Sequence, residues 1–427
     1  MNKNIFKLIL FGLIFEISYF NILNLKNIRN NVPSFLFTYS ILAIGYLILI
    51  YQKQFVKKKH TFSYIKIMIF FAIIFRITML FCAPSLSDDI YRYIWDGKMQ
   101  LNGINPYQYA PNAPQVSHLV DDQHRGINHK SIPTIYPPIS EFIFFISYRI
   151  SGSILFFKIV FVIFDLLIMY IIYLILKLKN IDLKNLIIYA WNPLLIIEVA
   201  GTGHNDVIAI FFMMASIYLL LIKKETLSIF ALTLSFLSKF FPIFLFPIFY
   251  KYLKNKFIIL ISIPIVILSY LPYFIDPKLL FKGLLAYSKD WEFNGFIYSI
   301  IKKIVLQFTG DPRFMTRAIL GIILIGIVGY LFFYSKNFIG SIMITLTSFL
   351  LLTPTFLPWY VLWIIPLIAL FYKKSLLYLS VIIGFAYIAL IQLINTGDWF
   401  VPWWFYIIEF VPFYYLLLKK KNLKFLQ

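Results

Sequence analysis

The stretch "YIKIMIFFAIIFRITMLFCAPSLSDD" occupies residues 64–89. Its first part, 64–82, carries only Lys66 and Arg76 as charges. It is about as long as the roughly 20 helical residues needed to cross a bilayer core. The chain then turns abruptly polar at Ser87-Asp88-Asp89 and stays so through a Gly/Asn/Pro-rich run to Pro111. Similar apolar segments recur along the whole chain.

The composition generalises this reading. Of 427 residues, 61% are hydrophobic and 13% charged, with a mean hydropathy of +0.83. A soluble domain carries about 25% charged residues and about 45–50% apolar ones. A transmembrane β-barrel would alternate apolar and polar positions, which this sequence does not do. The expected class is an all-α polytopic membrane protein, a single transmembrane domain over 1–427. Lys3 and Lys7 precede the first apolar run, and no small-residue cleavage site follows it, so a retained first helix is expected rather than a signal peptide. Cys82 is the only cysteine, so no intramolecular disulfide forms.

The net charge of +21 raises the question of nucleic acid. The lysines answer it, because they concentrate in short hydrophilic breaks: QKQFVKKKH (52–60), KLKNIDLK (177–184), 223–224, KYLKNK (251–256), 373–374 and KKKNLK (419–424). That is the bias of cytoplasmic loops, so membrane lipids, not nucleic acid, are the expected partners. Spans are placed near 5–23, 34–51, 64–82, 154–176, 186–202, 206–222, 227–238, 240–250, 257–275, 317–334, 338–353, 358–372, 375–394 and 402–418. Strict alternation from a cytoplasmic N-terminus puts every lysine-rich break inside, with Asp182 and Glu225 as their only acids, and leaves the C-terminus cytoplasmic too. The outer segments balance bases with acids. Residues 135–150 are kept out of the count. They contain Glu141 and Arg149, and counting them would send 177–184 outside. They are expected as an interfacial helix with Pro137 and Pro138 in its first turn, where a missing N–H costs nothing. Two long external segments result, 83–153 and 276–316.

The unusual residues fall on that outer side: Asp88-Asp89 and Asp96, Asn105-Pro106-Tyr107, Tyr136-Pro137-Pro138, GTGHND (201–206), Lys239 in SKFFP, WEFNG (291–295), TPTFLPWY (353–360) and GDWF (397–400). Paired acids cannot both ionise cheaply, so one carboxyl is raised or a cation is held. An outer carboxylate serves as general base to an incoming hydroxyl. The plainer reading is that Asp88-Asp89 caps a helix, but capping needs one acid and leaves Asp96 unexplained. If 90–95 are helical, Asp89 and Asp96 share a face. His204-Asn205-Asp206 reads as a polar cap, a proton relay or a substrate contact. As a metal site it is weak, since such sites take three or four ligands. Lys239 either snorkels or neutralises a phosphate. The aromatics Tyr107, Tyr136, Trp291, Trp359 and Tyr360 fit an interfacial belt, and their Pro and Asn neighbours fit a sugar-binding surface. Asp165, Glu198 and Glu409, inside spans, need interhelical partners.

The ordered set SDDIYRYIWDG, NPYxYAP, YPP, NPLLIIExxGxGHND, SKFFPxFLFP, WEFNG and PTFLPWY resembles the bacterial branch of the GT-C glycosyltransferases, over about residues 80–405. The Asp96–Tyr107 stretch is also similar to the first luminal loop of the first GPI mannosyltransferase's catalytic subunit, where the acids form DxD rather than the DD found here. The resemblance implies a GT-C bundle of about 12–14 transmembrane helices in a bacterial inner membrane, with a large first external catalytic loop. It implies inverting transfer of a hexose, typically mannose, from a polyprenyl-phosphate donor to a lipid- or glycan-bound acceptor hydroxyl on the extracytoplasmic face. Asp89 or Asp88 would be the base. Lys239, Arg92 and His204 would meet the leaving phosphate. Asp96, Asn105, Tyr107, Tyr136, Asn205, Asp206, Trp291, Asn294, Trp359 and Tyr360 would contact substrate. No nucleotide-binding motif is present and no cofactor is demanded, and the acids leave room for a divalent cation, Mg or Mn. The competing class is a flippase or transporter of lipid-linked sugars. It would require polar groups reachable from both sides, whereas the inner breaks are short and lysine-rich with almost no acids or aromatics suited to binding, and the internal repeats that would support transport are not found.

Overall fold

The computed structural model describes residues 3–53 and 60–419. The lysines expected inside at 57–59 and 420–424 lie outside the described residues. Among the described residues there is no β-strand; an isolated bridge pairs Phe293 with Thr355. The protein is an all-α polytopic membrane protein.

Among the described residues, seven helices are long and apolar enough to cross a bilayer: Lys3–Asn24, Arg29–Gln52, Thr61–Leu80, Ile154–Leu178, Lys256–Tyr273, Pro312–Tyr334 and Lys374–Thr396. Each coincides with an expected span. The expected span 186–202 is instead a pair, Leu183–Ala190 and Pro193–Thr202, bent by 51°. Its cause is local. Pro193 cannot donate to the preceding turn, and the Asn192 side chain accepts from the Leu195 amide at 3.1 Å, restarting the helix. Five more expected spans are shorter apolar helices, Asp206–Leu221, Glu225–Phe236, Phe338–Leu352, Pro358–Leu370 and Trp403–Leu418. The span expected at 240–250 breaks into a 3₁₀ turn, Phe241–Leu245, and a short helix, Phe246–Tyr252, because Pro242 and Pro247 interrupt it.

The chain divides into two compact units. The first comprises Met1–Leu86, Asp165–Thr202 and Leu357–Gln427. Its core is built around Trp191, whose ring lies 5.1 to 5.8 Å from those of Phe15, Phe71 and Phe75 and whose N–H donates to the Met68 carbonyl at 2.8 Å. Its charges are matched where the apolar interior demands it. Arg76 pairs with Asp165, which also accepts from the Tyr189 hydroxyl at 2.7 Å, and Glu198 accepts from Tyr387 at 2.6 Å. Glu409 is fully buried. Tyr39 and Tyr46 bond to the carbonyls of Val381 and Ile188, so hydroxyls on the Val32–Gln52 helix tie distant segments together.

The second unit comprises Ser87–Phe164 and Gly203–Phe356. The Asp89–Leu101 helix lies against the Pro138–Ile150 helix, which starts at Pro138 as its proline pair dictates. Gly97 makes the approach possible. A Cβ there would stand 2.5 Å from the Phe144 carbonyl oxygen. One turn earlier, Tyr93 stacks on Phe144 at 4.7 Å. The far side of the Asp89–Leu101 helix is covered by the loop 104–127, through a cluster of Trp95, Met99, Val116, Leu119 and Ile127.

Candidate active site

The polar segment that ends the opening stretch begins the Asp89–Leu101 helix. Asp88 occupies the capping position, yet its side chain makes no capping hydrogen bond. The Asp89 amide donates instead to the Ser87 hydroxyl at 3.3 Å. Capping therefore does not consume the two carboxylates.

Asp89 faces the GTGHND turn. Its Oδ2 lies 3.9 Å from Nε2 of His204, with 24% of the Asp89 side chain and 1% of the His204 side chain exposed. The turn is held by Gly203, whose φ of +82° suits glycine. A Cβ at that position would meet Ile90 at 2.6 Å and Lys158 at 3.0 Å. Burial raises the Asp89 pKa above the ordinary carboxylate value; Asp206 and Asp88 push the same way, while His204 and Lys239 pull it back.

Three separate motifs meet beside this pair. Lys239 Nζ lies 3.0 Å from Oδ2 of the buried Asp206 and 5.6 Å from the Tyr136 ring centroid. The turn carrying Lys239 docks on the start of the Pro138–Ile150 helix. There the Ile139 amide donates to the Leu237 carbonyl at 2.9 Å, and the Ser140 hydroxyl to that of Ser238 at 2.8 Å. Asn205 donates to Ser140 at 3.3 Å, which fixes the GHND turn to the same helix. A carboxylate with partial solvent access thus stands among an imidazole, an ammonium group and an aromatic face. That set suits proton removal from a hydroxyl next to a site for an anionic leaving group.

Residues 20–253 match the family model described as "Alpha-(1->6)-mannopyranosyltransferase, N-terminal domain" (MptA_B family). The chain belongs to this alpha-(1->6)-mannopyranosyltransferase family. It is a membrane mannosyltransferase, and hence a glycosyltransferase, acting between a sugar donor and an acceptor. Neither a curated protein nor a solved structure matches it.

Asp96 and Arg92 belong to a second network on the mannosyltransferase's Asp89–Leu101 helix. Arg92 Nε pairs with Asp96 Oδ1 at 2.9 Å and its guanidinium also donates to the Ile132 carbonyl at 2.8 Å. Glu141, fully buried, accepts from Thr134 at 2.7 Å and from Gln100 at 2.8 Å, and Gln100 accepts from Tyr273 at 2.8 Å. Burial raises both the Asp96 and the Glu141 carboxyls, and Asp96 raises Glu141 further by repulsion. Two acids so placed in a dry setting cannot both ionise cheaply. Asn105 and Tyr107 join the same framework: Asn105 donates to the Tyr273 carbonyl at 2.8 Å, and the Tyr107 hydroxyl to that of Tyr136 at 2.6 Å. Asp96 shares a helix with Asp89 but not its partners.

The WEFNG segment is pinned to 353–356. The Phe293 amide donates to the Pro354 carbonyl at 3.0 Å and its carbonyl accepts from the Phe356 amide at 2.7 Å, Thr355 donates to the Trp291 carbonyl at 2.9 Å, and Asn294 adopts a left-handed φ of +52°. Glu292 binds Tyr298, Lys302 and Arg313 at 2.6 to 3.3 Å. Trp291 stands edge-on to His129 at 4.5 Å, and Asp89 and Asp88 act on the His129 imidazole against the lowering effect of burial. Trp359 and Tyr360 belong to the first unit. Trp359 is buried, and Tyr360 stacks on Trp363 at 4.6 Å.

Sequence reasoning passed over His129, Ser140 and Glu141 as site residues. His129 sits in INHKS with no motif around it, and its one signature, a left-handed φ of +46°, is invisible in the sequence. Glu141 had a signal, a lone acid in an apolar helix. Among the described residues no group of three or more His, Cys, Asp and Glu side chains converges as a metal-ligand set.

Proposed function

We propose that the protein transfers mannose from a polyprenyl-phosphate donor to the hydroxyl of a lipid- or glycan-bound acceptor on the extracytoplasmic face of a bacterial inner membrane, forming the alpha-(1->6) linkage for which the family is named. The observation that carries this reading is the placement of Asp89 beside His204, in the same compact unit as the Lys239–Asp206 pair.

The reaction is a single displacement. The acceptor oxygen attacks the anomeric carbon, the bond to the phosphate oxygen breaks, and the hydroxyl proton passes to Asp89. The lipid phosphate leaves with both bonding electrons, and its growing charge is met by Lys239 and His204, while Arg92, bound to Asp96 and the Ile132 carbonyl, supports them from the neighbouring network. Inversion at the anomeric carbon with an α product requires a β-linked donor. The raised pKa of Asp89 makes its ionised form a stronger base. Asp88, next in sequence, is the alternative base. Tyr136 and Trp291 are the proposed aromatic contacts of the hexose, whose C–H groups pack on ring faces. Asp96, Asn105, Tyr107, Asn205, Asp206 and Asn294, all in the same unit as Asp89, complete the proposed substrate contacts, directly or by holding those that touch sugar.

The test is transfer of labelled mannose by the purified protein from β-linked polyprenyl-phosphate mannose to a mannosylated lipid acceptor, with the linkage read by methylation analysis. Full turnover in both Asp88→Asn and Asp89→Asn would sink the carboxylate-base mechanism. Movement of intact donor across a vesicle membrane without transfer would favour the flippase reading.

A further inference from the structure

A cavity of about 950 Å³ opens in the first unit, and none of the candidate active-site residues lines it. Phe62, Ile65 and Ile69 of the Thr61–Leu80 helix line one wall, and Leu166, Met169 and Tyr170 of Ile154–Leu178 another. The 182–186 turn closes one end. The Thr61 end of the first helix follows the lysine-rich break 52–60, and the second helix runs into the break 177–184. The cavity therefore sits at the lysine-rich ends of both. The Thr61–Leu80 helix is about 30 Å long, and the acidic segment of the proposed reaction follows its Leu80 end.

The rim is cationic. Lys66 enters an apolar span about 7 Å from the Thr61 end, and its side chain is exposed. Its ammonium lies 4.3 Å from the centroid of the Phe62 ring, one turn back toward that end. This is the posture of a lysine reaching for the interface. Among the described residues no carboxylate comes within ion-pair range of it. Lys184, also on the lining, is paired with Asp182 at 3.1 Å, and Lys53 bonds to the adjacent Asn185. Three lysines thus face one acid, already matched. A lone ionisable group at membrane depth calls for a partner, and basic pockets between spans bind anionic lipid headgroups.

We propose that this cavity is a binding site for one anionic phospholipid. Its acyl chain lies along Phe62, Ile65, Ile69, Leu166 and Met169, and its phosphate meets Lys66 with Lys184 and Lys53 behind it. A zwitterionic lipid brings its own cation and gains less from the rim. The site is independent of the transfer reaction, and its test has no activity readout.

The purified full-length protein is delipidated in mild detergent and titrated with phosphatidylglycerol or phosphatidylcholine, with bound lipid counted by native mass spectrometry. Wild type should retain phosphatidylglycerol about fivefold more tightly, the ratio that one lysine near a lipid phosphate supplies. Lys66→Gln, a substitution at an exposed position, should bring the two lipids to parity. Leu166→Trp should lower retention of both by filling the cavity. Equal binding of the two lipids by wild type, or an undiminished preference in Lys66→Gln, would overturn the proposal. Displacement of phosphatidylglycerol by equimolar polyprenyl phosphate would also overturn it, assigning the cavity to the carrier lipid.

Discussion

Asp89 Oδ2 and His204 Nε2 lie 3.9 Å apart, although 115 residues of chain separate them. The contact brings the acid after one span against the turn between two others. It leaves Asp89 close enough to His204 to be tuned and open enough to reach a substrate. Asp89→Asn keeps the shape and removes the base, so kcat should fall about 10²- to 10⁴-fold, the usual contribution of a positioned base. The thermal midpoint should not fall, since a buried acid at a raised pKa costs stability when ionised. Asp88→Asn should cost less. A steady-state comparison of the two variants checks this, and the reverse ranking would name Asp88 as the base.

The same contact fixes a pH dependence. A general base works when ionised, so its pKa sets the acid limb of kcat/KM. Burial lifts Asp89 above the ordinary carboxylate value while His204 pulls it down. The wild-type acid limb should therefore lie above that value. His204→Gln removes the imidazole that lowers the Asp89 pKa, and the limb should move to still higher pH as well as losing height. A His204→Gln profile with lowered height and an unmoved limb would show that His204 does not tune Asp89.

Much of the site was legible because its chemistry is local. Asp88-Asp89, GHND and SKFFP each break an apolar run, and charge at membrane depth is costly enough to stand out. What the sequence hid was the pairing. Asp96 repeats on the helical period of Asp89, which favoured a shared role, yet Arg92 one turn before it and Glu141 on the facing helix draw it into a separate buried network. That choice depends on tertiary packing at Gly97, which no periodicity reports. The span count was blurred for a similar reason. Apolarity marks 186–202 and 240–250 as crossings, but Pro193, Pro242 and Pro247 decide where helices bend or stop. His129 left no trace, because a single histidine in a polar loop has no pattern.

Glu141 gives a stability signature. Its folded-state pKa is raised, chiefly by burial and then by Asp96. A carboxyl with a raised folded pKa contributes stability that is full below its unfolded value of about 4.3 and is lost as pH rises through the folded value. The protein should therefore melt at progressively lower temperature as pH climbs across that window. Glu141→Gln keeps a neutral partner for Thr134 and should flatten the dependence. Glu141→Ala leaves the Thr134 hydroxyl without this acceptor, while Gln100 keeps its bonds to the Asp96 and Glu141 carbonyls, and should cost about 1–3 kcal/mol at all pH values. Thermal melts at several pH values in detergent decide it, and parallel curves for wild type and Glu141→Gln would contradict a protonated Glu141.

Lys239 has two possible employments, and a double variant separates them. Its ammonium neutralises Asp206 at 3.0 Å and also lies over the Tyr136 ring at 5.6 Å. If it meets the leaving phosphate, Lys239→Gln should lower kcat about 10²- to 10³-fold, the cost of removing one preorganised donor from a developing anion. Lys239→Arg should recover part of that, because charge is kept while the ammonium's compact geometry is lost. Asp206→Asn added to Lys239→Gln removes the uncompensated buried acid. If Lys239 served only Asp206, the double variant would regain wild-type turnover. The expected result is that it regains thermal stability and stays as slow as Lys239→Gln alone.

Gly97 ties the architecture to the chemistry. A Cβ at this position would lie 2.5 Å from the Phe144 carbonyl oxygen and 2.8 Å from Tyr148 Cβ, both on the facing helix and neither able to swing away freely. Gly97→Ala must therefore push the Asp89–Leu101 and Pro138–Ile150 helices apart, at about 1–3 kcal/mol for such overpacking. In an ordinary exposed helix the same change stabilises by about 0.5–1 kcal/mol, so the sign of the effect is diagnostic. Because Asp89 rides one of these helices and Ser140 anchors the other to the Lys239 turn, turnover should fall with stability. Gly310→Ala, where an added Cβ meets nothing within 4 Å, is the control and should change neither. A Gly97→Ala variant that melts at or above the wild-type temperature would show that the two helices do not approach as closely as the packing of Gly97 on Phe144 requires.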